Sequence, residues 1–160
     1  MVILFNDMSP LSKVWVFQSD RLLSDEELTL IEIKLNSFIA DWATHGTPLL
    51  ASYKLKNNCS VIVAVDENIQ AASGCSISSL TALFVAIGAE IKVLFFDRFS
   101  IAHKSNNCVT LSSVKEFKEL IQTGEVTENT LVYNNLIAQK QDLDTKWEIQ
   151  LKESWQKRYL

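Results

Sequence analysis

This 160-residue chain spends little on glycine, proline, histidine or cysteine, and each shortage excludes a class of function. The four glycines, Gly46, Gly74, Gly88 and Gly124, compose neither G-x-x-x-x-G-K-[ST] nor G-x-G-x-x-G. Both patterns need glycine where backbone must approach a phosphate, so a P-loop ATPase and a dinucleotide-binding Rossmann enzyme are excluded. The two histidines and three cysteines (Cys59, Cys75 and Cys108) show no metal-ligand spacing and no C-x-x-C pair. We therefore expect no metal, no other cofactor, and reduced thiols rather than a disulfide framework. Lys and Arg number 15 against 19 Asp and Glu, a formal net charge of −4. That balance lacks the basic footprint of a nucleic-acid binder. No apolar run approaches the ~18 residues of a membrane span, so membrane insertion is not expected. Met1 to Phe5 is apolar but has no basic flank, and Asn6 and Asp7 interrupt it, which does not read as a signal peptide. Together these readings predict a cytoplasmic protein.

What is present is ordinary globular material: 48% apolar and 21% charged residues, enough for one core. Residues 1–12 read as an irregular lead-in and 13–160 as a single α/β domain. Lys13 to Phe17 is a compact apolar run, hence a buried strand. Ser24 and Glu27 form a capping box, and Leu28, Ile31, Leu35, Phe38, Ile39 and Trp42 recur at helical spacing. Gly46 and Pro48 are placed to end that helix. Leu50 to Lys56 and Cys59 to Asp66 read as a hairpin turning at Asn57-Asn58, since Asn tolerates positive φ. Val61 to Val65 is apolar on both faces, the signature of a central strand. Ile77, Leu80, Leu83, Phe84 and Ile87 mark a second helix ending near Gly88. Lys92 to Lys104 reads as a long strand, turned at Ser105-Asn106-Asn107 into an edge strand, Cys108 to Leu111. Ser113 and Glu116 open a third helix that Gly124 ends, and Thr130 to Tyr133 is a short strand.

The order β-α-β-β-α-β predicts an α+β protein of ferredoxin-like, split βαββαβ type. It would have one antiparallel sheet with two helices on one face. An extra edge strand and a C-terminal helix-strand-tail extension would complete it.

The candidate chemistry gathers after the central strand. A thiol at a helix N-terminus has its thiolate stabilised by the dipole, so Cys75 is a candidate nucleophile. His103 is its candidate base, and Asp66 or Glu67 the orienter. Ser73, Gly74 and Ser76 are candidate ligand-binding groups in the same turn. The structural reading of the same residues comes first: Ser73 and Ser76 as N-caps, Gly74 as a sharp entry, Cys75 as a small filler, Asp66 and Glu67 as turn residues. Gln18, Asp20 and Arg21 leave the first strand at the opposite edge from Cys75. Asp97-Arg98 reads as a surface ion pair among aromatics. Trp147 and Trp155 read first as core anchors and second as interface residues.

Several segments together resemble a family of short bacterial proteins often labelled "ABC transporter ATPase". They are Lys13–Arg21, Asp66-Glu67-Asn68, Ala72–Ile77, Phe95–Phe99, Thr130–Asn135, Trp147 and Ser154-Trp155. The likeness runs from about residue 13 to the end. The label implies an ATPase, whereas the residues lack the Walker A loop such an activity needs, so the family is carried over without the label. A second, local resemblance covers Phe117–Ile121, Gly124, Val126 and Thr130–Val132. It is similar to the helix-turn-strand segment of GYF-type peptide-binding modules, without their aromatic signature. The function expected is non-enzymatic, through protein–protein contacts and possible homo-oligomers. The alternative is a small enzyme or redox-sensitive thiol protein centred on Cys75.

Overall fold

A computed structural model describes residues 3–160, and the first two residues of the lead-in lie outside it. The elements run β1 (Lys13–Gln18), α1 (Asp25–Asp41), β2 (Ala43–Thr44), β3 (Thr47–Pro48), β4 (Ala51–Lys56), β5 (Ser60–Val65), α2 (Gly74–Ile91), β6 (Ser100–Ser105), β7 (Cys108–Ser113), α3 (Val114–Thr123), β8 (Leu131–Tyr133) and β9 (Glu148–Gln150). The protein is mixed α+β with antiparallel sheets. One sheet has the order β1-β5-β4, a second has β7-β6-β8-β9, and β2-β3 is a separate hairpin.

Successive strand residues face opposite sides, so the core clusters define the layers. Val61, Val63 and Val65 of β5 pack with Ile31, Leu35 and Ile39 of α1 and with Leu80, Phe84 and Ile87 of α2. Ile62 and Ala64, on the other face, pack with Ala102, Tyr133 and Trp147 of the second sheet and its connections. Ile101 and Val132 on the far face of the second sheet pack with Phe117 of α3. The layers are thus helices, sheet, sheet, helix. Every residue of β5 is buried, as its two-sided apolar run requires.

The local chemistry that sets the helices is as expected at their starts. Ser24 accepts from the Glu27 N–H while the Glu27 carboxylate accepts from Ser24, and Ser113 with Glu116 repeats the capping box. Arg21 donates to both Glu27 oxygens at 2.8 and 2.6 Å, and this hydrogen-bonded partner holds the Glu27 carboxyl down at about 2. Asn57 and Asn58, at φ 59° and 56°, and Asn106 and Asn107, at 51° and 65°, occupy the left-handed region their turns demand.

Three expectations are corrected. Gly46 does not end α1; at φ 81° it turns the β2-β3 hairpin beside His45, and α1 stops at Asp41. Gly88 lies inside α2, which runs on to Ile91 and ends at Lys92 in the left-handed conformation. The aromatic stretch 92–99 is no strand. Val93 and Phe95 turn back onto α2, sealing the helix-side core, and Asp97 then turns the chain into the second sheet. As a result β6 pairs with β7 and β8 instead of lying beside β1 in a single sheet. Apolar runs of this length fit a buried strand and a buried loop equally, and only the partner decides.

The lead-in and the tail are both integral. Phe5 and Met8 are buried in the inter-sheet core, and Lys140 donates to the Asn6 and Met8 carbonyls at 3.2 and 2.7 Å. Trp147 is buried against Tyr133, and Leu151 is buried beneath α3.

Candidate functional site: a cleft at the free edge of β1

The chain crosses the outer edge of β1 twice, and a cleft of about 500 Å³ opens between the two crossings. One wall is the loop after α2. Gly88 lets this loop approach the helix, because a Cβ there would stand 2.6 Å from the Val93 carbonyl oxygen. The loop is pinned further by the Leu94 N–H, which donates to Asp20 at 2.9 Å. Phe95 packs inward on Phe84, while Phe96 packs edge-on against Phe17 and stays half-exposed at the cleft. Asp97 accepts from the Phe99 N–H at 2.9 Å and the Ser100 hydroxyl at 2.8 Å. The predicted Asp97–Arg98 ion pair is absent among the described residues.

The other wall comes from the segment after β8 and from the tail. Asn134 holds the Leu136 N–H at 3.2 Å, forming an Asx turn. Asn135 donates to Gln18 at 3.0 Å and accepts from the Trp147 indole at 2.9 Å. Gln18 in turn donates to the Ser100 carbonyl at 3.0 Å. The cleft floor is therefore a chain of carboxamides, Gln18 and Asn135, anchored at one end by a core tryptophan. Gln156 lines the cleft beside them, bonded to Ser154 and donating to the Tyr133 carbonyl. Large apolar side chains rim this floor: Phe96 is 49% exposed, Leu136 76% and Trp155 40%. Arg158 stacks over Trp155 at 5.0 Å. The Tyr133 phenol is pushed up by burial and by its bond to Glu148, so it stays protonated.

The residues singled out from sequence lie elsewhere, and two of them lie far apart in the layer order. Cys75 is exposed on the first turn of α2, in one outer layer. His103 is buried on the far face of the second sheet, tilted against Phe117 beneath α3. Both sheets stand between them, so the fold does not assemble a Cys–His pair. The His103 Nε2 is 2.8 Å from the Ser112 hydroxyl, and burial lowers the imidazole's pKa. Asp66 accepts from the Asn68 N–H, and Glu67 from the Ala72 N–H, each closing the turn before α2. Ser73 is the N-cap of α2 and accepts from the Ser76 N–H. The buried Ser76 hydroxyl meets Thr44 at 2.6 Å and Ser73 at 2.8 Å, and its carbonyl accepts from Trp42. This polar knot ties the β2-β3 hairpin to α2. Gly74 has open space around it and no positive φ. Trp147 is an anchor, and Trp155 is the tryptophan that reaches the surface.

Sequence reasoning missed two further features. The outer face of α2 exposes Ala82, Val85, Ala86 and Ala89, and the helix carries no charge before Glu90. By length and composition α2 is long and apolar enough to cross a membrane, with mean hydropathy 1.6. Its Leu80, Phe84 and Ile87, however, are spent on the sheet core. A groove between Val85, Ala89, Leu94 and Phe96 joins this face to the cleft, since both share Phe96. A separate cavity of about 540 Å³ is lined by Lys54, Lys56, Lys140 and Glu148, and its Lys140 is already committed to lead-in carbonyls. Among the described residues no cluster of three His, Cys, Asp or Glu is arranged to hold a metal.

Comparison of this chain with protein-family models, with curated proteins and with solved structures finds no match.

Proposed function

We propose that the protein is a binding module that acts through protein–protein contacts, with the cleft at the β1 edge as its contact surface. One observation carries this reading. Phe96, Leu136 and Trp155 stand exposed around a floor of hydrogen-bonded carboxamides, continuous with the uncharged face of α2. Large apolar side chains gathered on a surface mark interaction sites, and Trp and Phe are favoured as interface anchors. The cleft's own groups are mainly amides and aromatic rings, with one guanidinium and one carboxylate, Asp97, that is held by its own turn, and they recognise rather than react. The resemblance to the family of short bacterial proteins is kept as part of this proposal, without the ATPase label. We read residues 13–91 as the split βαββα portion of a ferredoxin-like arrangement, completed by the second sheet instead of a fourth strand.

A photo-crosslinking amino acid at position 136 tests the reading in cells. Discrete adducts are expected from position 136 and not from position 33, on exposed α1 surface, and Phe96→Asp with Trp155→Asp should abolish them. Identical adduct patterns from both positions would remove the cleft as the contact surface.

A further inference from the structure

We propose that the cleft takes an extended, carboxylate-bearing peptide segment, which adds as a strand to the β1 edge at Val16 and Gln18. This rests on the contact reading above and goes beyond it by naming the partner's chemistry.

The hydrogen-bond register of β1 carries the argument. Lys13 to Gln18 pairs with Val65 to Ser60, and the Ser19 N–H continues the ladder to the Cys59 carbonyl at 2.8 Å. In an antiparallel pair, alternate residues direct both backbone groups to the partner strand. Ser19, Phe17, Trp15 and Lys13 therefore face β5, and Val14, Val16 and Gln18 face outward. The outward side is paired at one end only. The Val14 N–H donates to the Ala138 carbonyl at 2.9 Å, and the Lys140 N–H donates to the Ser12 carbonyl at 2.8 Å. Beyond Ala138 the pairing stops, and the Leu136 N–H is held by the Asn134 side chain.

At the other end the Gln18 side chain is tied to Ser100. Between these crossings, the Val14 carbonyl, both backbone groups of Val16 and the Gln18 N–H have no hydrogen-bond partner among the described residues. Val16 and Gln18 line the cleft. An unpaired edge of this kind is completed by another extended backbone, which supplies donors and acceptors at strand spacing.

The surroundings define the rest of the occupant. Phe96, Leu136 and Trp155 at the rim call for an apolar side chain. The Asp97 carboxylate is held to its own turn by neutral donors, which fix its position and leave its single negative charge in place. Arg98, at the cleft wall, and Arg158, stacked on Trp155, make no ion pair among the described residues. Two guanidinium groups thus stand against the one Asp97 carboxylate, a positive balance that a carboxylate on the occupant, from an acidic side chain or a chain terminus, complements.

The test uses the full chain and a phage-displayed library of random octapeptides as the probe. Selected peptides are synthesised with free and amidated C-termini and with single backbone N-methyl groups, and affinity is read by fluorescence anisotropy. We expect alternate N-methyl positions to weaken binding about tenfold, the scale of a lost hydrogen bond, with the positions between them tolerated. We expect Arg98→Gln to weaken binding, and amidation to matter only where the C-terminus supplies the carboxylate. Val16→Pro removes an outward N–H without touching the β5 ladder and should weaken binding similarly. The methylation series on the unaltered protein decides the case should that variant not fold. Selected peptides that tolerate N-methylation at every position, or a library that yields no binder, would overturn strand addition. Adducts captured at position 136 in that event would still leave the contact surface standing; their absence would remove both.

Discussion

At the residue scale, the polar side chains near the predicted thiol site are consumed by structure. Ser73 and Ser76 knot α2 to the β2-β3 hairpin, and Asp66 and Glu67 close a turn. Cys75 is left exposed with His103 behind two sheets, so its chemistry is that of an accessible surface thiol. Cys108 is exposed too, whereas Cys59 is sealed in the core and its thiol is pushed up by burial. Alkylation of the folded protein followed by peptide mass analysis should thus label Cys75 and Cys108 at similar rates, within about threefold, and Cys59 only on unfolding. A Cys75 that reacts many times faster than Cys108 would restore the thiol reading.

At the element scale, the loop after α2 decides both the fold and the site. Gly88 is its hinge point of contact, and two effects compete in Gly88→Ala. Helix propensity favours Ala by about 1 kcal/mol. Against it, the new Cβ meets the Val93 carbonyl at 2.6 Å, and a backbone oxygen held by the Lys92 turn cannot swing aside as a side chain would. Overpacking of this kind costs about 1–3 kcal/mol, so the net effect is destabilising. Urea denaturation should show a lower midpoint for Gly88→Ala. A midpoint raised by the substitution would mean that the loop does not sit against the helix.

The same loop shows how far the sequence could be read. Capping boxes at Ser24–Glu27 and Ser113–Glu116, asparagine turns and the two-sided run of β5 depend on near neighbours, and each was legible. The stretch 92–99 was not, since Val93 and Phe95 bury themselves against a helix rather than a strand, and periodicity is blind to the partner. The β2-β3 hairpin was hidden because two-residue strands leave no pattern. Of the site, Trp155 was legible as an interface candidate, whereas Phe96 was read only as part of a supposed strand and Arg98 as half of a surface ion pair. Gln18 and Asn135 meet across 117 residues of sequence, a pairing that no local signal reports.

At the scale of the whole molecule, the second sheet covers one face of β1-β5-β4 and the helices cover the other. The faces are therefore closed, and the two edges, β1 and β4, are what remain. On β1, residues 138–140 guard the first half, and the loop around Ser100 guards the end. Natural proteins cover or blunt strand edges, so a gap framed by aromatic side chains and unpaired arginines stands out as a place where another chain completes the sheet.

The most direct test of this account is amide hydrogen exchange along β1 in the free protein. The account predicts an alternation broken at one place. Trp15 and Phe17, bonded to β5, and Val14, bonded to Ala138, should exchange slowly, while Val16 and Gln18 exchange quickly. Protection of Val16 equal to that of Phe17 and Val14 would contradict the account, because it would mean that the edge is already paired.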